Sequence, residues 1–205
     1  MIDTARLEAT VAALTQPGKG ILAADESIPT ITRRLQAVGV ESTEETRRRW
    51  RSLLFTTPGI GEHLAGVILF EETLDQRDDS GTPLVEVLER QGIMPGIKVD
   101  KGTELLPNAG PGEKITRGLD GLAERLAAYR EKGARFTKWR DVYVIGPGTP
   151  SALAIEANAE VLARYAALAQ QAGFVPIVEP EVLMDGDHGI ERCAEATEAV
   201  LHAVY

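Results

Sequence analysis

Apolar and polar positions along the chain follow two alternating patterns: helical stripes and short continuous apolar runs. The first stripe is Leu7, Val11 and Leu14, with Asp3 placed to cap it and Pro17-Gly18 to end it. A run from Ile21 to Ala24 closes on Asp25. A helix follows around Ile31, Leu35 and Val38. Another opens at Ser42 with Glu45 at capping-box spacing, and its expected buried face holds Trp50, Leu53 and Leu54. The run from Gly66 to Phe70 is the second strand. Thr82-Pro83 starts a helix through Leu84, Val85 and Leu88, which Gly92 stops.

Gly96 to Val99 is the third strand. Leu122, Leu126 and Tyr129 mark a helix ended by Gly133. Ala134 to Trp139 is the fourth strand. Ser151 caps a long Ala-rich helix that runs to Gly173, with Leu162, Tyr165 and Leu168 on one side. Val175 to Val178 is the fifth strand, and the last helix carries Ile190, Cys193, Val200, Leu201 and Val204. The stretches Pro107 to Gly112 and Gly146 to Pro150 read as βα loops.

Short apolar strands separated by helices predict an α/β domain with a parallel sheet covered by helices. Such chains close into an eight-stranded barrel or stay open and doubly wound. The glycine-rich nucleotide turn of the open sheet is missing after the first strand, where AADES stands instead. Five units in 205 residues is about 41 residues each, so a barrel of eight needs roughly 330. The expectation is a (β/α)8 TIM barrel truncated after about five of its eight units, forming one partial domain over residues 1–205.

Every strand closes on charge: Asp25; Glu71 and Glu72; Lys98 and Asp100; Lys138 and Arg140; Glu179 and Glu181. Three of these pairs are spaced i, i+2, which puts both side chains on one face of a strand. The residues between, Val99, Trp139 and Pro180, suit packing against helices on the other face. Charges also mark where a strand simply emerges into water. Five consecutive strands with three such pairs favour a site at the C-terminal face of the sheet. Lysines beside carboxylates in a partly dry pocket suit proton transfer. Arg33, Arg34, Lys98 and Arg140 suit phosphate.

Composition narrows the classes. The 22 Lys and Arg stand against 31 Asp and Glu, a net charge of -9, which argues against nucleic-acid or anionic-membrane binding. A small anionic substrate needs only a few local cations. The single Cys193 fits a reducing, cytoplasmic setting, and three histidines cannot build a His/Cys metal cage. His188, His63, Trp50 and Cys193 are read as structural. No apolar run reaches about 18 residues, so no membrane span is expected. The acidic start of the chain does not read as a signal peptide.

At these blocks the sequence resembles the class I fructose-bisphosphate aldolases. GKGILAADES, GVILFEETL, GIKVDKG, GLDGLAERLAAYREKGARFTKWR and VPIVEPEVLMDGDH carry the likeness along nearly the whole chain. The resemblance implies a (β/α)8 barrel that reversibly cleaves fructose 1,6-bisphosphate to dihydroxyacetone phosphate and glyceraldehyde 3-phosphate. The chemistry runs through a lysine imine, with no metal and no cofactor, in a homo-oligomer that is usually a tetramer. It implies Glu179 as general acid/base, supported by Glu181 and Lys138, with Asp25 helping in C–C cleavage. Lys98, Arg140, Arg33 and Arg34 fall near the substrate phosphates.

Two departures accompany the likeness. The family's imine-forming lysine sits on the sixth strand, in a block resembling LLKPNMV that does not occur among these residues. After DES, where the family usually has Thr-Gly, this chain has Ile28-Pro29. The expectations are a longer parent aldolase and little or no activity from these 205 residues alone. Two alternatives stand beside this reading. One is a transaldolase-like Schiff-base enzyme using Lys138. The other is a non-catalytic fragment that binds sugar phosphates or assembles with longer subunits.

Overall fold

The computed structural model describes residues 2–205. Helix α1 (Thr4–Leu14) leads into strand β1 (Gly20–Ala24), then helices α2 (Ile28–Ala37) and α3 (Glu44–Phe55). Strand β2 (Leu64–Leu69), α4 (Leu84–Arg90) and β3 (Met94–Lys98) follow. A small hairpin of β4 (Thr103–Leu105) and β5 (Lys114–Thr116) precedes α5 (Leu122–Glu131). The chain continues through β6 (Phe136–Tyr143), α6 (Ala152–Gln171), β7 (Val175–Val182) and α7 (Ile190–Val204). The main sheet is parallel throughout, in the order β1-β2-β3-β6-β7. It is a curled half-barrel carrying five of the units of a (β/α)8 fold.

Local chemistry sets the helix starts. Asp3 accepts from the Arg6 amide and Ser151 from the Ala154 amide, so both side chains cap as expected. Ile28-Pro29 opens α2 behind Ser27, where a proline lacking an N–H loses nothing. The box on α3 is shifted by one residue: Thr43 and Thr46 exchange the two bonds, not Ser42 and Glu45.

Two cores flank the sheet. The larger lies between the strands and α3 to α6, with Leu69, Leu88, Ile97, Leu126 and Tyr165 among its members. Trp139 stacks on Tyr165 with ring centroids 5.3 Å apart. The smaller core fills the concave side, where Leu14 of α1 meets Ile68 and Phe136. Strand glycines make room for Phe136. A Cβ on Gly96 would lie 2.3 Å from its ring, and one on Gly66 would lie 3.1 Å away.

Several expectations need correction. The buried face of α3 is Arg47, Arg51, Ser52 and Phe55, whereas Leu53 is 63% exposed and Trp50 lies at the surface. Charged residues won that face because carboxylate and carbonyl partners await them inside. Val38, Ile190 and Leu201 are exposed, His63 is exposed, and Cys193 is only partly buried. Pro107 to Gly112 is the tip of the β4–β5 hairpin rather than a plain βα loop. Strands β6 and β7 run on to Tyr143 and Val182, so their charge pairs lie within the strands. The strands continue because Lys138 and Arg140 project to the concave side while Trp139 and Asp141 remain buried on the other.

Candidate active site

The register brings the charges together. Lys98 pairs with Lys138 across β3 and β6, and Arg140 pairs with Glu179 across β6 and β7. Asp25 follows the last residue of β1. At the centre, the Lys138 ammonium lies 3.1 Å from Asp25 Oδ2 and 3.0 Å from Glu179 Oε1. Burial alone would lower the Lys138 pKa. The two carboxylates outweigh it and hold the group above the usual lysine value. Lys138 is therefore a stored cation rather than a free amine.

Arg140 extends the network. Its Nε is 3.9 Å from Glu179 Oε1 and bonds to Glu181 Oε2. Its burial, which would lower the pKa, is outweighed by Glu181 and Glu179. Lys98 Nζ donates to Asp100 Oδ1 at 2.6 Å, and Asp100 also receives the amides of Gly102 and Arg140. On the far rim Arg34 bonds to Glu26 at 2.6 Å. Arg33 has no ion pair among the described residues.

A cavity of about 700 Å³ opens between these groups. Its wall includes Asp25, Lys98, Lys138 and Glu179, and its rim Arg33, Arg34 and Arg140. Seven of the eight residues singled out from sequence thus face one space. Glu181 lies outside it and reaches the site through Arg140. The volume suits a small phosphorylated molecule. Among the described residues no three His, Cys, Asp or Glu side chains group to hold a metal ion. No helix among them is long and apolar enough to cross a membrane.

Beyond those eight residues, the strand-closing charge of Glu71 and its two partners complete the surroundings. Glu71 lines the cavity, accepts from Lys101 Nζ at 2.6 Å and from the Tyr129 hydroxyl at 2.7 Å. Partial burial would raise its pKa, but Lys101 and Tyr129 together hold it below the ordinary value. Burial and the same carboxylate push Tyr129 up to about 12. The lysine-rich GIKVDKG block offered a signal for Lys101. Tyr129 gave none, since its spacing marks it only as a core residue.

A sequence model described as "Glycolytic: Fructose-bisphosphate aldolase class-I" matches residues 6–205. The chain is 54% identical over 201 residues to a "Probable fructose-bisphosphate aldolase class 1" of Xanthomonas campestris, covering 98% of this chain and 60% of that protein. It is 57% identical over 199 residues to "Fructose-bisphosphate aldolase 6, cytosolic" of Arabidopsis thaliana, covering 97% and 55%. A solved fructose-bisphosphate aldolase of Plasmodium falciparum, in complex with TRAP and a small molecule inhibitor, superposes with a TM-score of 0.95. That comparison has 51% identity and covers 98% of this chain and 58% of the solved one. The chain therefore spans about 60% or less of the length of these relatives.

Proposed function

The chain belongs to the class I fructose-bisphosphate aldolase family, and we propose on that footing that its cavity forms the larger part of an aldolase active site. The reaction is reversible aldol cleavage of fructose 1,6-bisphosphate to dihydroxyacetone phosphate and glyceraldehyde 3-phosphate. The imine-forming lysine that the family uses comes from outside these 205 residues. Arg33, Arg34, Lys98 and Arg140 hold the phosphates. Glu179 serves as general acid/base in forming and dehydrating the carbinolamine, and Glu181 orients Arg140 beside it. Asp25 takes the hydroxyl proton as the C–C bond breaks, while electrons flow into the imine. The protein works in the cytoplasm, as one partial barrel domain within a homo-oligomeric enzyme.

The observation that carries this reading is the Lys138 ammonium between Asp25 and Glu179. An amine must be neutral to attack a carbonyl. A lysine held as a cation by two carboxylates is a poor nucleophile, so its role is electrostatic. This favours the aldolase assignment over a transaldolase-like enzyme that forms its imine on Lys138.

The test is borohydride reduction in the presence of dihydroxyacetone phosphate, read by intact mass. The 205-residue chain should stay at 22.1 kDa, while calorimetry detects fructose 1,6-bisphosphate binding that weakens on Lys98→Met. A reduced adduct mapped to Lys138 would establish the transaldolase-like chemistry instead. No binding of any sugar phosphate would remove the substrate assignment.

A further inference from the structure

Arg51 is the most deeply buried cation of the protein's interior, with 0% exposure. A charge so placed is costly unless it is paired and hydrogen-bonded. Its partners are unusual. Nε faces the Ala24 carbonyl at 3.4 Å, and Nη2 donates to the Glu26 carbonyl at 2.9 Å. Those two residues flank Asp25. The guanidinium also lies 5.9 Å over the Phe70 ring, and Nη1 is 3.6 Å from Glu72 Oε2. Glu72 is gripped in turn by Arg47, through bonds of 2.9 Å to Oε2 and 2.5 Å to Oε1.

Asp25 stands on the turn just past Ala24, the last residue of β1, and has to meet Lys138 on β6, three strands away. A rigid planar fork that takes one carbonyl on each side of Asp25 fixes the backbone there, and Glu72 with Arg47 fixes the fork.

We infer that Arg51 is a positioning residue: by clamping the Ala24 and Glu26 carbonyls it holds the Asp25 carboxylate against the Lys138 ammonium. Its catalytic meaning rests on the aldolase reading, in which Asp25 moves a proton. The contact itself does not, and it can be measured without substrate.

The chain contains six lysines, so lysines labelled with 13C at Cε give a spectrum in which Lys138 is assigned from Lys138→Met. Lys138 is faced by Asp25 and Glu179, with Arg140 beyond Glu179 and, across on β3, Lys98 paired to Asp100. Arg51→Lys keeps a cationic stem over Phe70 but cannot fork across two carbonyls, and its own signal is the seventh, absent from the parent spectrum. The Lys138 midpoint should fall as Asp25 drifts away. Simple loss of the positive charge would move it up, so the direction separates the two causes. In an Asp25→Asn background the same substitution should move nothing.

An unchanged midpoint in a folded Arg51→Lys protein overturns the inference, as does an equal shift in the Asp25→Asn background. If Arg51→Lys does not fold, Arg47→Lys, which loosens Glu72, is read by the same criteria. Sugar-phosphate binding is scored separately, so loss of the aldolase reading leaves this result standing.

Discussion

The carboxylate of Asp25 and the ammonium of Lys138 meet at 3.1 Å although 113 residues separate them in the chain. The contact spans the curl of the half-barrel and joins the turn after β1 to β6, three strands away. Both side chains are nearly out of water. Removing one charge leaves the other short of a partner. Asp25→Asn should destabilise the fold by about 2 kcal/mol, the usual scale for a hydrogen bond to a charged group. Glu179 still holds Lys138, which keeps the loss below that of a fully orphaned ion. Urea unfolding with an unchanged m-value checks this, and equal midpoints for the two proteins would refute it.

The concave core makes a prediction of opposite character. Gly96 lies under the Phe136 ring with no room for a methyl group. Gly96→Ala should cost roughly 1–3 kcal/mol as an overpacking change. Phe136→Leu should relieve part of that cost, so the double variant will be more stable than the sum of the singles implies. Thermal melts of the four proteins give the coupling.

The parallel order of the strands was legible from short apolar runs separated by helical stripes, and all five main strands are found. So was the gathering of charge, since i, i+2 spacing put Lys138 with Arg140 and Glu179 with Glu181 on one face. What stayed hidden depends on partners distant in sequence. Arg47 and Arg51 occupy the core face of α3, and local pattern assigned that face to Trp50 and Leu53. Only the carbonyls of Ala24 and Glu26 and the carboxylate of Glu72 make two arginines cheaper inside than an indole. The spacing Arg47, Arg51, Phe55 is a helical stripe, but its hydropathy says surface. The β4–β5 hairpin escaped notice because three-residue strands give no periodic signal.

Asp141 predicts a pH dependence that has nothing to do with the cavity. It sits beneath α6 on the helix-facing side of β6 and is fully buried. Burial pushes its carboxyl up to about 7, against the bond from the Trp139 indole N–H, and the nearby charge of Asp100 adds to the rise. The folded state therefore binds this proton more tightly than the unfolded chain, whose value is near 3.8. The stabilisation is complete below that value and is lost as the pH rises through about 7. Asp141→Asn should flatten this slope and raise the melting temperature at pH 8 relative to the parent. Identical pH profiles for the two proteins would falsify the assignment.

The open edges lead to the last prediction. β1 and β7 are each paired on one side only among the described residues, and α7 presents Ile190 and Leu201 to solvent. Unpaired parallel edges and an uncovered apolar helix face are templates for association. The purified 205-residue chain should sediment as concentration-dependent oligomers, and added salt should strengthen the association because apolar contact rather than charge drives it. Lys or Glu at Ile190 and Leu201 should shift the population toward monomer without lowering the melting temperature, since neither side chain belongs to the core. A monodisperse monomer across the concentration range would refute the prediction.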